Sequence, residues 1–283
     1  MSASINHSDN ILEKIVTTTR QHEAKKWHDW EIAGARIPPL NRKPISILPT
    51  LAQTFTLISE CKHASPSKGI IRSPYHPSRI AKAYADGGAH AISVVTEPHF
   101  FKGSLDHLRA VKKVVAVPVL RKDFIVHPYQ IYEAYIAGAD LFLLIKRILS
   151  QKLLAELLAY GLKLGLTPLI EIFNLNEGIA TLTSIKNMNI SSKVIIGINN
   201  RNLETFEVTM NETFATLTGL RDHITKHFPS QMAIPIISES GIKTYHDIQQ
   251  LKDYHFAGAL IGSSLLGQSD CKAAVTNLLH PPA

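Results

Sequence analysis

An α/β fold, closed as a (β/α)8 TIM barrel with an N-terminal helical extension, is predicted by three features of the sequence. From about residue 51, eight short apolar stretches alternate strictly with eight amphipathic ones. The apolar stretches are rich in Val, Ile and Leu with no polar alternation, the pattern of parallel strands buried on both faces. A chain of 283 residues, 45% hydrophobic, is the right size for one such barrel. An open nucleotide-binding sheet is disfavoured, because neither GxGxxG after the first strand nor GxxxxGK[ST] occurs.

Residues 1–48 read as an extension packing on the barrel and 49–283 as the barrel itself, one domain in all. In the extension, Asp9 is the expected cap of a helix through Ile11 to about Lys26, with Ile11, Leu12 and Ile15 at helical spacing. Trp27, His28 and Trp30 follow, then a link bearing Pro38, Pro39 and Pro44. Strands are predicted at 55–60, 91–96, 117–121, 140–145, 167–172, 194–199, 234–239 and 258–262. Helices are predicted at 77–87, 104–114, 128–137, 150–164, 175–187, 211–227, 244–253 and 270–279. Glycine stops such as Gly87-Gly88 and Gly138 close several of them.

The net charge of +7 favours an anionic ligand, but the basic residues are dispersed and not interleaved with aromatics, so no nucleic acid partner is expected. Two cysteines, Cys61 and Cys271, make no disulfide framework, and the 14 histidines form neither HExxH nor a close Cys/His cluster, so no metal is expected. The N-terminal MSASINHSDN lacks a signal-peptide core, and no apolar run reaches the roughly 18 residues that would span a membrane. A cytoplasmic protein without a membrane partner is the expectation.

A barrel of this class places its active site where the strands end. In the first strand Ile58, Glu60 and Lys62 share one face, and Leu57, Ser59 and Cys61 the other. The same parity aligns Lys122 with the barrel-filling Leu120, Glu171 with Leu169, Asn199 with Arg201, and Glu239 with Ile237, while the fourth strand offers only Leu141, Leu143 and Ile145. One such charge at a strand end is an ordinary structural ion pair; a convergence from five strands is a site, because barrel interiors are otherwise filled by branched apolar side chains. Lysines and glutamates paired in a partly dry pocket suit general acid-base work. Ser240-Gly241 and Gly262-Ser263-Ser264 are small-residue turns leading into helices, suited to a phosphate. Ser65, Ser67 and Lys68 form a candidate lid, or an ordinary surface loop. Cys61, facing outward, reads as an inert thiol. These residues describe a cofactor-free enzyme that moves protons on a small phosphorylated anion.

The chain resembles the indole-3-glycerol-phosphate synthase family in ECKHASPSKG at 60–69, TEPHFFKGS at 96–104, RKDFIVHPYQI at 121–131, LIEI at 169–172, GINNRNL at 197–203, ESGI at 239–242 and IGSSLL at 261–266. The resemblance implies a cofactor-free lyase of tryptophan biosynthesis that closes the indole ring of 1-(2-carboxyphenylamino)-1-deoxyribulose 5-phosphate with loss of carbon dioxide and water. It implies Lys122 as general acid, Glu171 and Lys62 in proton removal and loss of the hydroxyl, and Glu60 sharing that proton traffic. It further implies Asn199 and Glu239 orienting hydroxyls and amine, Arg201, Ser240 and Ser65 at the polar rim, and the backbone of Gly241, Gly262 and Ser263 on phosphate. Phe101, Phe124 and Leu143 are implied as the wall for the aromatic ring. His63-Ala64 departs from the family, which often has a second basic residue there, and Arg121 before the lysine is expected to point outward.

Two other readings stay open on the residues: a phosphoribosylanthranilate isomerase, which would need a Cys/Asp pair for which Cys61 has the wrong parity, and a ligand-binding barrel without catalysis. The chain is expected to act as a monomer, a state compatible with association with other tryptophan-pathway enzymes.

Overall fold

The computed structural model describes residues 7–34, 43–201, 210–228 and 234–280. Eight parallel strands close into a barrel: β1 (Thr56–Cys61), β2 (Ala91–Val95), β3 (Val119–Lys122), β4 (Leu141–Ile145), β5 (Thr167–Ile172), β6 (Ile195–Asn199), β7 (Ile236–Glu239) and β8 (Gly258–Ile261). Before it come α1 (His7–Ile32) and α2 (Leu48–Gln53). Around it lie α3 (Pro77–Asp86), α4 (Leu105–Lys112), α5 (Pro128–Ala137), α6 (Gln151–Lys163), α7 (Leu175–Met188), α8 (Met210–His227), α9 (Tyr245–Asp253), α10 (Ser263–Leu266) and α11 (Cys271–Leu279).

Local chemistry sets the helix boundaries. Ser104, Ser150 and Asn174 accept the N–H groups of His107, Leu153 and Glu177 as N-caps, and Thr244 with Asp247 makes a capping box. At the far end of α5, Gly138 takes φ 99°, the left-handed stop that glycine adopts without steric cost.

The strand registers decide what faces inward. From each odd-numbered strand to the next the register advances two residues, as Ile58 lies beside Ala91 and Leu120 beside Ser93, so alternate strands contribute side chains to common layers. Ile58, Leu120, Leu169 and Ile237, from β1, β3, β5 and β7, form one aliphatic layer of the inner core. Two residues nearer the C-terminal mouth, the same strands carry Glu60, Lys122, Glu171 and Glu239. The floor is closed by Ile47 and Leu51 of the α2 segment, which join that inner core. Outward-facing residues such as Leu57, Val119 and Phe142 pack beneath the helices in a separate core.

The extension departs from the sequence reading in its length. Its helix does not stop near Lys26 but runs to Ile32, taking in Trp27, His28 and Trp30. Trp27 stacks on His127 with ring centroids 4.5 Å apart, and Trp30 packs on Tyr129, Tyr132 and Tyr160. Those partners lie on α5, at its cap and on α6, so the continuation is held by contacts remote in sequence. The helix also begins earlier than expected, at His7, so Asp9 lies inside it and not at its cap; Pro38, Pro39, Asn202 and Leu203 lie outside what the structure describes. A further element unforeseen in sequence is a two-residue ladder, Ala64–Ser65 against Gly69–Ile70, folding the candidate lid into a hairpin. Among the described residues no helix is long and apolar enough to cross a membrane.

Candidate active site

Above the aliphatic layer the barrel is filled by ionisable groups. Lys122 Nζ lies 2.8 Å from Glu171 Oε2 and 3.5 Å from Glu239 Oε2, and Lys62 Nζ lies 2.6 Å from Glu60 Oε1. Asn199 Nδ2 donates to the other oxygen of Glu171 at 3.1 Å, and its own Oδ1 accepts the backbone N–H of Arg201. Two glycines make room for this layer. Gly197 faces inward on β6, and Glu239 leans into the space a side chain there would need. Gly262 does the same for Glu60, whose Oε1 would lie 2.6 Å from a Cβ at that position.

The charges are set by mutual contact. Burial alone would raise Glu60, but the Lys62 and Lys122 charges, the Lys62 hydrogen bond and Arg201 outweigh it and hold the carboxyl below its ordinary range. Glu171 is also lowered: burial opposes ionisation, and Lys122 with the Asn199 amide overcomes it. Burial would draw Lys122 down, yet the three surrounding glutamates lift it above the ordinary lysine value. Glu239 goes the other way: burial and the neighbouring Glu171 and Glu60 outweigh the pull of Lys122 and push it well above its ordinary range. The layer therefore sets an ammonium and two carboxyls biased towards their charged forms beside a third carboxyl, Glu239, biased towards its protonated form.

Every residue singled out in the sequence as catalytic, substrate-binding or phosphate-binding borders one cavity of about 670 Å³ at the barrel mouth. Its walls divide by chemistry. One arc, from the loops after β2 and β3 across β4, is apolar: Phe101 and Phe124, with ring centroids 5.9 Å apart, then Leu143 and Ile145. The opposite arc holds Arg201, Ser240, Gly241, Gly262 and Ser263, with Ser65, Ser67 and Lys68 of the hairpin. Ser240 and Gly241 take φ 71° and 84° in succession, and a non-glycine residue held in the left-handed region is a strain of the kind that gathers at binding sites. Cys61 is absent from the lining, fully buried on the outer face, and its thiol is pushed well up by burial. Arg121 likewise points outward, and His63 stacks on Tyr75.

Several supporting residues escaped the sequence reading. Glu97, almost fully buried, gathers the backbone N–H groups of His99, Phe100 and Phe101 on its carboxylate and so fixes the Phe101 loop. Asn200 Nδ2 donates to the Ser240 carbonyl and to Ser238 Oγ, both at 2.9 Å, holding the strained turn in place. Arg72 Nη1 donates to the carbonyls of Leu266 and Gln268, tying the hairpin to the loop after α10. From α1, Ile11, Leu12 and Ile15 line the cavity too. The signal for Glu97 was present, a charge directly after an apolar strand; the others depend on contacts that no spacing announces.

Comparison with known proteins agrees with this geometry. The family model described as indole-3-glycerol phosphate synthase matches residues 12–278. The chain is 45% identical over 277 residues to the indole-3-glycerol phosphate synthase of Rippkaea orientalis, covering 95% of this chain and 89% of that one. To the protein of the same name from Sulfurimonas denitrificans it is 36% identical over 274 residues, covering 95% and 98%. Among solved structures, a 3-hexulose-6-phosphate synthase superposes with a TM-score of 0.59 at 16% identity, over 79% of this chain and 98% of that one, which shows the barrel fold alone. On these matches, the chain belongs to the indole-3-glycerol phosphate synthase family.

Proposed function

We infer that the cavity performs the reaction of its family: ring closure of 1-(2-carboxyphenylamino)-1-deoxyribulose 5-phosphate to indole-3-glycerol phosphate, with loss of carbon dioxide and water. The observation that carries the reading is the gathering of Lys122, Glu171, Glu60, Lys62 and Glu239 between an apolar wall and a small-residue rim. An aromatic ring and a phosphate need those two surroundings on opposite sides of one acid-base cluster.

The ring lies against Phe101, Phe124 and Leu143, and the phosphate accepts backbone N–H groups at Gly241, Gly262 and Ser263. Lys122, held charged by its carboxylates, gives a proton to the ketone oxygen as the ring carbon bearing the carboxylate attacks, so no bare alkoxide forms in the partly dry site. Carbon dioxide leaves and the ring regains aromaticity. Glu171, held anionic between Lys122 and Asn199, takes a proton while Lys62 assists departure of the hydroxyl as water, and Glu60 shares the Lys62 proton. Asn199 and Glu239 orient the ribulose hydroxyls and the amine; Arg201, Ser240 and Ser65 form the polar rim.

In this reading residues 1–48 are an extension of the barrel formed by 49–283 whose helix α1 covers the mouth while its last residues close the floor, and the enzyme is a cytoplasmic monomer open to association with other tryptophan-pathway enzymes. Incubating the purified protein with the substrate and following indole fluorescence tests the chemistry; absence of product under conditions where phosphate still binds would leave the inert ligand-binding barrel. A mass above one chain by light scattering would overturn the monomer.

A further inference from the structure

Just beyond β5, in phase with Leu169 and Glu171, Phe173 packs on the inner core and lines the cavity. It continues the apolar arc by one strand, since β5 pairs with β4 and its Leu143 and Ile145. Its position is fixed by a closed cycle of contacts that the reaction as described does not use. The Phe173 N–H donates to Glu177 Oε2 at 2.9 Å, Arg147 Nε donates to Glu177 Oε1 at 2.8 Å, and the Arg147 guanidinium lies over the Phe173 ring, 4.4 Å from its centroid. Glu177 is itself anchored in the first turn of α7, where Asn174 caps its N–H. Arg147 sits in the short turn Lys146–Ile148 after β4, on which α1 packs.

A cation stacked behind a ring and hydrogen-bonded to a fixed carboxylate holds that ring in one orientation. We propose that Phe173 is a specificity-determining residue, the wall that limits what the substrate's aromatic ring can carry, and that Arg147 and Glu177 are its positioning residues. The proposal rests on the ring site proposed above, whose arc it completes on the side nearest Glu171.

The test uses the full chain and two readouts: steady-state kinetics with the parent substrate and a set of its ring-methylated forms, and equilibrium binding of indole-3-glycerol phosphate. Removing most of a partly buried phenyl ring, Phe173→Ala raises KM and the product Kd about tenfold, a larger change than in kcat, since about 1.4 kcal/mol of apolar contact is lost. It also shifts kcat/KM at least about fivefold towards one or more methylated substrates, because the pocket deepens by about a methyl or more. Phe173→Leu restores most of the parent KM. Arg147→Met, which keeps the stem and removes the guanidinium, moves the same ratios in the same direction by a smaller factor, and Arg147→Lys recovers part of the loss. These two variants carry the test if Phe173→Ala does not fold.

A wild type that turns over while KM, Kd and the methyl preference stay unchanged in the Phe173 and Arg147 variants overturns the proposal. A wild type that binds the product without turning over, with binding lost in Phe173→Ala, upholds this ring site and defeats the catalytic reading. Failure of the wild type in both readouts overturns both.

Discussion

Glu239 occupies the room that Gly197 leaves: a Cβ on Gly197 would lie 2.0 Å from Glu239 Oε1, and the Cδ1 of Leu169 on the next strand would be 3.2 Å away. No side chain fits there without moving the carboxyl. Gly197→Ala is expected to cost about 1–3 kcal/mol, the usual scale for overpacking a filled interior, and to lower turnover because Glu239 is displaced towards Lys122. Urea unfolding and the indole assay check both; a variant as stable and as active as the wild type would mean that the carboxyl has another place to go.

Lys122→Ala is expected to cut turnover by at least ~10²-fold, the scale on which a positioned general acid acts. Binding of the phosphate end should persist, since its rim lies on the opposite arc. Cys61→Ser, on the outer face under the helices, should leave turnover largely intact. Near-normal kcat in the lysine variant would remove it from the chemistry.

The carboxyls of the layer predict opposite pH slopes. Glu239 holds its proton more tightly in the native state than in the unfolded chain, so it lowers stability as pH rises from the ordinary carboxylate value towards its raised folded value. Glu60 and Glu171 are depressed, so their stabilisation is present above the ordinary value and is lost as pH falls through the folded one. Above the ordinary carboxylate range, Glu239→Gln should flatten the decline in urea midpoint, whereas Glu60→Gln should act on the acid side. Profiles parallel to the wild type in both variants would contradict the assignment.

At the barrel floor, Asp140 is completely buried, and its carboxylate accepts the N–H groups of Ile45 and Val119, both at 2.9 Å, and pairs with Lys112. Asp140→Ala strands the Lys112 ammonium and two backbone donors, and should cost about 3–5 kcal/mol. KM should hardly move, because the residue is at the end of the barrel away from the cavity. Denaturant unfolding and kinetics separate the two; a rise in KM with unchanged stability would be the wrong result.

The inward set of Glu60, Lys122, Glu171 and Glu239 was legible in the sequence because strand side chains alternate and each charge stands two residues from an aliphatic filler, and Asn199 because it is in phase with Arg201. Parity gives a direction and no partner. That Lys122 pairs with Glu171 depends on barrel stagger and side-chain length, which appear only with the registers, whereas Lys62 and Glu60 are neighbours on one face of a single stretch. Phe173 obeyed the same parity as Glu171, yet a phenylalanine two residues past a carboxylate reads as core until Arg147 is seen behind it. The reach of α1 beyond Lys26 was hidden for a different reason: Trp27 and Trp30 give a poor helical signal alone and are stabilised by rings about a hundred positions or more along the chain, His127 for the first and Tyr129, Tyr132 and Tyr160 for the second.

Arg121, the outward neighbour of Lys122, bonds to Asp123, Glu133, Thr96 and the Gln130 carbonyl, and Asp123 in turn accepts the Phe124 N–H. The strand end is thereby bolted to α5 from behind. The backbone that carries Lys122 is thus tied to α5 and the strand end rather than to the hairpin or α1. Under the mechanism proposed above, the aim of the proton donor then does not depend on where those two elements lie.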